Sequence, residues 1–170
     1  PEHAVEAYRR VVSEDPARAT ALDALDRLYR HLGRWDELAN LLQVRLDDAD
    51  DAARMPLSFQ LATVLEAHLG RDAEALERYA DVLALAPDHD PTLTALARLI
   101  ERQAGPAGAE LRRRACDVLE PVFVARDAWA HEVALLRIRL DDAESPADRV
   151  ALRRRIAVRV EAGSGDAATA

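Results

Sequence analysis

The chain contains no lysine at all; its 23 basic residues are all arginine, set against 31 acidic ones for a net charge of −8. An acidic chain lacks the basic surface that displaces counterions from nucleic acid, so general nucleic-acid binding is excluded. Cysteine occurs once, at Cys116, which excludes a disulfide framework and a cysteine-based metal cage. Aromatics make up only 4% of the residues, and charges interrupt the apolar runs every few positions. No stretch reaches the roughly 20 apolar residues of a membrane helix. No signal-peptide layout is present at Pro1–Ala4, and the default expectation is a cytoplasmic protein without a membrane partner.

What remains is alanine, leucine and arginine, a helix-forming mixture. It is also repetitive. Residues 41–49 read LLQVRLDDA and residues 135–143 read LLRIRLDDA, with seven of nine identical. The same offset of 94 carries Leu25, Tyr29 and Trp35 onto Leu119, Phe123 and Trp129; one residue more carries Leu57, Ala62 and Glu66 onto Leu152, Ala157 and Glu161. A second offset, of 71, carries Ala4, Tyr8 and Pro16 onto Ala75, Tyr79 and Pro87, and Leu22, Leu25 and Leu28 onto Leu93, Leu96 and Leu99. Such a period is about twice a helix-turn-helix repeat.

Helical spacing of Leu22, Leu25, Leu28, Tyr29 and Leu32, and of Trp35, Leu38, Leu41, Leu42 and Leu46, gives each unit two amphipathic helices. Gly33 and Gly70 supply left-handed turns between helices. Asp90-Pro91 and Ser145-Pro146 read as cap plus first-turn proline. The prediction is nine helices, over 3–14, 17–32, 35–47, 52–69, 72–85, 91–103, 107–125, 128–142 and 147–162. Residues 1–162 form one domain, with regular repeats over 3–103, an irregular helix over 107–125 and a further repeat over 128–162. Ala104-Gly105-Pro106-Ala107-Gly108 breaks the pattern, and Pro121 is expected to kink or split the irregular helix. Residues 163–170 read as the frayed start of a truncated next repeat.

Ala4-x3-Tyr8-x7-Pro16, repeated as Ala75-x3-Tyr79-x7-Pro87, resembles the second helix of a tetratricopeptide repeat; Leu22, Leu25, Tyr29 and Gly33 resemble its first helix, as do Leu57, Leu61 and Gly70. The segment Gly33-Arg34-Trp35-Asp36-Glu37-Leu38 resembles long Ala/Arg/Leu-rich repeat proteins of high-GC bacteria, myxobacteria especially. Leu38 departs from the small residue of the pattern, and Asp26 from its glycine. The resemblance implies an all-α solenoid of antiparallel helices wound as a right-handed superhelix, with a protein-protein interaction role. Solenoid ends need polar capping helices. Helix 3–14 lacks a preceding partner and the helix near Asp166 is cut off, so flanking repeats of a longer parent are expected.

Chemistry-bearing constellations are few. His3, His31, His68, His89 and His131 make no i, i+4 metal pair. Asp88-His89-Asp90 precedes a proline in a turn, where acidic residues cap helices. The acidic runs 47–51 and 141–144 lack the spacing of a calcium loop and suit the starts of following helices. Arg112–Arg114 and Arg153–Arg155 spread around their helices, at about 100° per residue, and do not make a single basic face. Cys116 falls at the register of Leu22 and reads as a buried small hydrophobe. No phosphate-binding loop or nucleophile elbow occurs. No enzyme activity, cofactor or metal is expected.

In repeats of the resembled kind, first helices line the concave surface. Their exposed flank then carries Asp23, Arg27, Arg30 and His31, next Gln60, Val64 and His68, then Arg98 and Arg102, and last Arg155 and Arg159. Guanidinium forks recognise carboxylates bidentately. The expectation is a scaffold or adaptor whose arginine-rich groove takes a protein or an acidic peptide. The competing account pairs these arginines with their own helix neighbours, Asp23 with Arg27 for example. The carboxylate clamp of some tetratricopeptide domains uses lysine and asparagine; this chain offers only Asn40, so that activity is not expected. The alternatives are a regulatory or sensory helical segment of a larger signalling or transcription protein, and the helical part of an enzyme.

Overall fold

A computed structural model describes residues 2–14 and 19–167. Among these, nine α-helices and one short 3-10 turn are present and no strand is. They are α1 (Glu2–Glu14), α2 (Ala19–Leu32), α3 (Trp35–Asp47), α4 (Asp51–Ala67), α5 (Asp72–Leu85), α6 (Asp90–Arg102), α7 (Ala109–Ala125), α8 (Trp129–Asp142) and α9 (Pro146–Ala167), with the turn at Pro106–Gly108. The described residues divide between Leu85 and Ala86 into two compact units. In the first, α1 packs on α2, α2 on α3, α3 on α4 and α4 on α5; in the second, α6 packs on α7, α7 on α8 and α8 on α9. The expected proline at the end of the first helix, Pro16, lies outside the described residues.

Short-range chemistry sets the boundaries. Asp50, extended at φ −70° and ψ 170°, accepts a hydrogen bond from the Ala53 amide at 2.8 Å and caps α4. Ser145 does the same for α9, its Oγ accepting from the amides of Ala147 (3.2 Å) and Asp148 (3.5 Å). The expected Asp90 cap is displaced by one residue: Asp90 is already helical, Pro91 follows it inside the first turn, and His89 takes the cap position. The Nδ1 of His89 sits 2.8 Å from Thr92 Oγ1, which fixes the imidazole against the new helix.

Helix α2 ends at Gly33, with φ +66°, and the Arg34 amide reaches back to the Tyr29 carbonyl at 2.9 Å. That is the reversal a glycine makes without steric cost. The related end of α7 repeats the bond, from the Ala128 amide to the Phe123 carbonyl at 2.9 Å, but with Asp127 at φ +50° in place of the glycine. Aspartate is among the few other residues that tolerate this region.

Two expectations about the second unit change. Pro121 does not split its helix; α7 runs unbroken to Ala125, with the proline on an exposed face. Water can there meet the Asp117 carbonyl that the proline leaves without its helical donor. Nor does the chain fray at Gly163. Helix α9 continues through Ala167, because Gly163 is buried against the Trp129 indole and needs no left-handed turn there.

The core of the first unit is Ala21, Leu25 and Tyr29 of α2, Leu38 and Leu42 of α3, Leu61, Ala62 and Leu65 of α4, and Leu76, Tyr79, Val82 and Leu83 of α5. The second unit buries Leu96 and Leu99 of α6, Ala115, Cys116 and Leu119 of α7, and Val133, Leu135 and Leu136 of α8. Each leucine so buried contributes about 1.5–3 kcal/mol relative to exposure. The offset of 94 carries Ala21, Leu25 and Leu42 onto Ala115, Leu119 and Leu136, buried in both units.

Candidate functional site

The candidate surface begins on α2, where the core residues occupy one face and leave Asp23, Arg27, Arg30 and His31 exposed on another. Arg30 is tied to its own helix: its Nε and Nη2 donate to the two carboxylate oxygens of Asp26 at 2.7 and 3.2 Å. Arg27 is not so tied. Its Nε donates to the backbone carbonyl of Asp23 at 3.2 Å, while the Asp23 carboxylate turns to Arg45 of α3 at 3.1 Å. The expected Asp23–Arg27 side-chain pair is thus replaced by a bridge between helices.

That bridge is a repeat feature. At the offset of 94, Asp117 of α7 pairs with Arg139 of α8 at 2.5 Å. Arg139 also reaches Glu120 at 2.8 Å, and Glu120 is shared with Arg155 of α9. Sequence reasoning passed over Arg45 and Arg139, although both sit inside the duplicated LLxxRLDDA segment. Their duplication was the available signal.

On α4, Gln60 and His68 are exposed and Val64 is not. Val64 is 1% exposed, buried on the α4 face that turns inward with Leu57, Leu61 and Leu65. It is therefore withdrawn from the candidate surface, since helical phase alone does not tell a flank from the edge of the buried stripe. His68, at the end of α4, stacks on Trp35, with ring centroids 3.5 Å apart and planes 7° from parallel.

The second unit carries the remaining candidates. Arg98 and Arg102 are exposed on α6. Arg155 pairs with Glu120. Arg159 forms a fork onto Glu132, Nε to Oε2 at 2.9 Å and Nη2 to Oε1 at 2.6 Å, and its Nη2 also reaches Asp127 at 2.7 Å. These acceptors raise the guanidinium pKa further, Glu132 first and Asp127 second, with desolvation opposing. At the repeat offsets, Glu132 and Arg159 occupy the positions of Leu38 and Val64. An apolar pair of buried positions in the first unit is an ion pair in the second.

Two further arginines are engaged, Arg34 at the surface and Arg112 beneath it. Arg34 is held by Glu37 (Nε to Oε1 2.8 Å) and by Glu2 at 3.1 Å, and lies over the Tyr29 ring, as does Arg9. Arg112 is buried: its Nε donates to Asp142 at 2.9 Å and its Nη1 to the Gly105 carbonyl at 2.7 Å and to the Gln103 carbonyl.

Cys116 is fully buried and its thiol is pushed up to about 11, chiefly by desolvation. A thiolate is the nucleophilic form, so this side chain acts as a small apolar core residue. No group of three or more histidine, cysteine or acidic side chains suited to a metal occurs among the described residues. None of the described helices is long and apolar enough to cross a membrane.

None of the curated proteins matches this chain. A tetratricopeptide-repeat family model matches residues 21–54, which span α2, the Gly33 turn, α3 and the capped start of α4. The matched residues include the exposed flank of α2, and repeats of this type are in general protein-interaction scaffolds and typically carry no catalytic activity.

Proposed function

We propose that the chain is a protein-interaction scaffold that presents the arginine-bearing flank of its first helices to an acidic, extended segment of a partner protein. In the first unit the flank is Asp23, Arg27, Arg30, His31, Gln60 and His68; in the second it is Arg98, Arg102, Arg155 and Arg159. The observation that carries the reading is the state of Arg27. It is exposed, and the acidic neighbour one turn away is drawn off to Arg45, so its charge is left to a second carboxylate. Arg155 is already paired with Glu120, and Arg159 is forked onto Glu132 and reaches Asp127, so both serve to shape the surface. The Ala/Arg/Leu-rich composition supports a place among the long repeat proteins of high-GC bacteria.

The test is fluorescence anisotropy of a labelled, Asp/Glu-rich extended peptide at low salt, where charge attraction is least screened. Arg27→Glu and Arg98→Glu are each expected to weaken binding by about tenfold, an ion pair's worth at a partly desolvated interface. Binding left unaltered by both reversals, with helicity intact, removes this reading.

A further inference from the structure

A cavity of about 460 Å³ is bounded by α3, α4 and α5, wholly within the first unit. Its volume is in the range of roughly 300–1,000 Å³ typical of ligand pockets. Gln43 and Asp47 of α3, Arg54 and Ser58 of α4, and Arg78 and Asp81 of α5 form its walls. Successive helical residues are about 100° apart, so Ser58 stands about 200° round α4 from Gln60. The cavity therefore opens on a different side of α4 from that flank residue.

Two donors on α4 are left without an acidic acceptor. Ser58 is 1% exposed and lines the cavity, and no hydrogen bond joins its hydroxyl to another described residue. Every wholly enclosed side-chain nitrogen or oxygen among the described residues has a partner, so the Ser58 hydroxyl takes its small exposure from the cavity. Arg54 stands one turn away, at i and i+4, on the same face. It is exposed and forms no ion pair among the described residues; its Nη2 donates only to the Ala49 carbonyl, at 3.3 Å.

The other walls are engaged. Gln43 Nε2 donates to Asp47 Oδ1 at 2.7 Å, and Arg78 Nη1 pairs with Asp81 Oδ2 at 3.1 Å. A guanidinium and a hydroxyl together suit an anionic oxygen acceptor. The charges of Asp47 and Asp81 on the same walls oppose a second negative charge, so a monoanionic carboxylate fits better than a phosphate dianion. Leu46, 7% exposed, and Leu85, 52% exposed, also line the cavity and offer apolar contact to the chain that carries the carboxylate.

We propose that this cavity takes the carboxylate of a glutamate side chain, set beside an apolar residue, from a protein partner, with Arg54 and Ser58 as its donors. It is a second contact, made between α3 and α5 and independent of the arginine flank.

Amide NMR spectra of the isotope-labelled chain, titrated with the N-acetylated, C-amidated dipeptide Leu-Glu at millimolar concentration, test this. Saturable shifts are expected at Arg54, Ser58 and Leu85 with Leu-Glu, and none with Leu-Gln. Arg54→Gln is expected to weaken binding about tenfold and Ser58→Ala several-fold, as for hydrogen bonds to a charged acceptor. Arg54 is exposed and alanine is a strong helix former, so both variants are expected to keep the native spectrum. Asp47→Asn removes a like charge and is expected to tighten binding about twofold. Equal shifts from Leu-Glu and Leu-Gln, wild-type affinity in Arg54→Gln, or weaker binding in Asp47→Asn overturns the proposal. Hexanoate binding as tightly as the dipeptide overturns the assignment to a protein side chain. Arg27→Glu is expected to bind the dipeptide as the wild type does, so failure of this cavity and failure of the arginine flank are read separately.

Discussion

The indole of Trp35 lies flat on the imidazole of His68, 3.5 Å away, and the repeat-equivalent Trp129 lies flush against Gly163, which holds the place of that histidine. One tryptophan is thus used twice, at the start of α3 and of α8, to close the end of the neighbouring helix. In the first unit a ring covers it; in the second the helix backbone itself comes in, and α9 runs on.

The close approach makes Gly163 intolerant of a side chain. A Cβ there would stand 2.3 Å from Trp129 Cδ2, so the indole has to move. Gly163→Ala is expected to destabilise by about 1–3 kcal/mol, as for overpacking generally. His68→Ala, which removes a ring from a half-open stack, is expected to cost only about 0.5–1.5 kcal/mol. Urea unfolding of the two variants checks the order; Gly163→Ala as stable as wild type would show that the contact is loose.

Glu66 is buried and receives the Tyr79 hydroxyl. Tyr79→Phe keeps the ring and removes the donor, so the carboxylate loses a charge-assisted hydrogen bond away from water. The expected cost is about 1–3 kcal/mol. The pairing of Glu66→Gln with Tyr79→Phe should be less than additive in a double-mutant cycle.

Much of this was legible in the sequence, and the residues say why. Gly33, Gly70, Ser145 and the leucine stripes act through local chemistry, so their roles are written in spacing and residue type. Asp127 was not legible, because nothing in its neighbourhood marks an aspartate as filling a left-handed position. Val64 and Asp23 failed for a different reason. Which edge of a helix is buried, and which arginine a carboxylate turns to, depends on the neighbouring helix. Only the duplication of Asp23 and Arg45 as Asp117 and Arg139 carried that information.

Acid should weaken the first unit through two surface forks. The Glu37 carboxyl is held below its ordinary value of 4.5, first by hydrogen bonding to Arg34, and Glu74 likewise by Arg71. A carboxyl depressed in the folded state contributes stability that is complete above its unfolded pKa and lost as pH falls through the folded one. Thermal melts from neutral pH down to about pH 3 are expected to show falling stability below about pH 4.5, with a shallower fall in the Glu37→Gln, Glu74→Gln variant. An unchanged slope in that variant would assign the acid sensitivity to other carboxylates.

Cys116 is expected to resist thiol reagents at neutral pH, because burial disfavours the thiolate and pushes the thiol up to about 11. Labelling with a disulfide reagent should proceed only as fast as the second unit opens and should become immediate in denaturant. Fast labelling of the native chain would mean that α7 opens readily around this residue.

The irregular segment before α7 is secured by Arg112 more than by its own sequence. Its guanidinium gathers the carbonyls of Gln103 and Gly105 and the Asp142 carboxylate at the end of α8, with side chains 10% and 7% exposed for the arginine and the aspartate. Gly108 closes the same loop, where an added Cβ would strike the Gln103 carbonyl at 2.1 Å. Arg112→Met keeps the apolar stem but strands a buried carboxylate and two carbonyls, so it should cost about 3–5 kcal/mol, as for breaking a buried pair by removing one partner. Arg112→Lys should recover little, because an ammonium is a point charge that does not span a carboxylate and two carbonyls at once. Limited proteolysis across 103–108 then separates the outcomes. Cleavage of Arg112→Met and Arg112→Lys at similar rates, both well above wild type, fits a staple that depends on the fork; protection of the lysine variant would reduce Arg112 to a simple countercharge for Asp142.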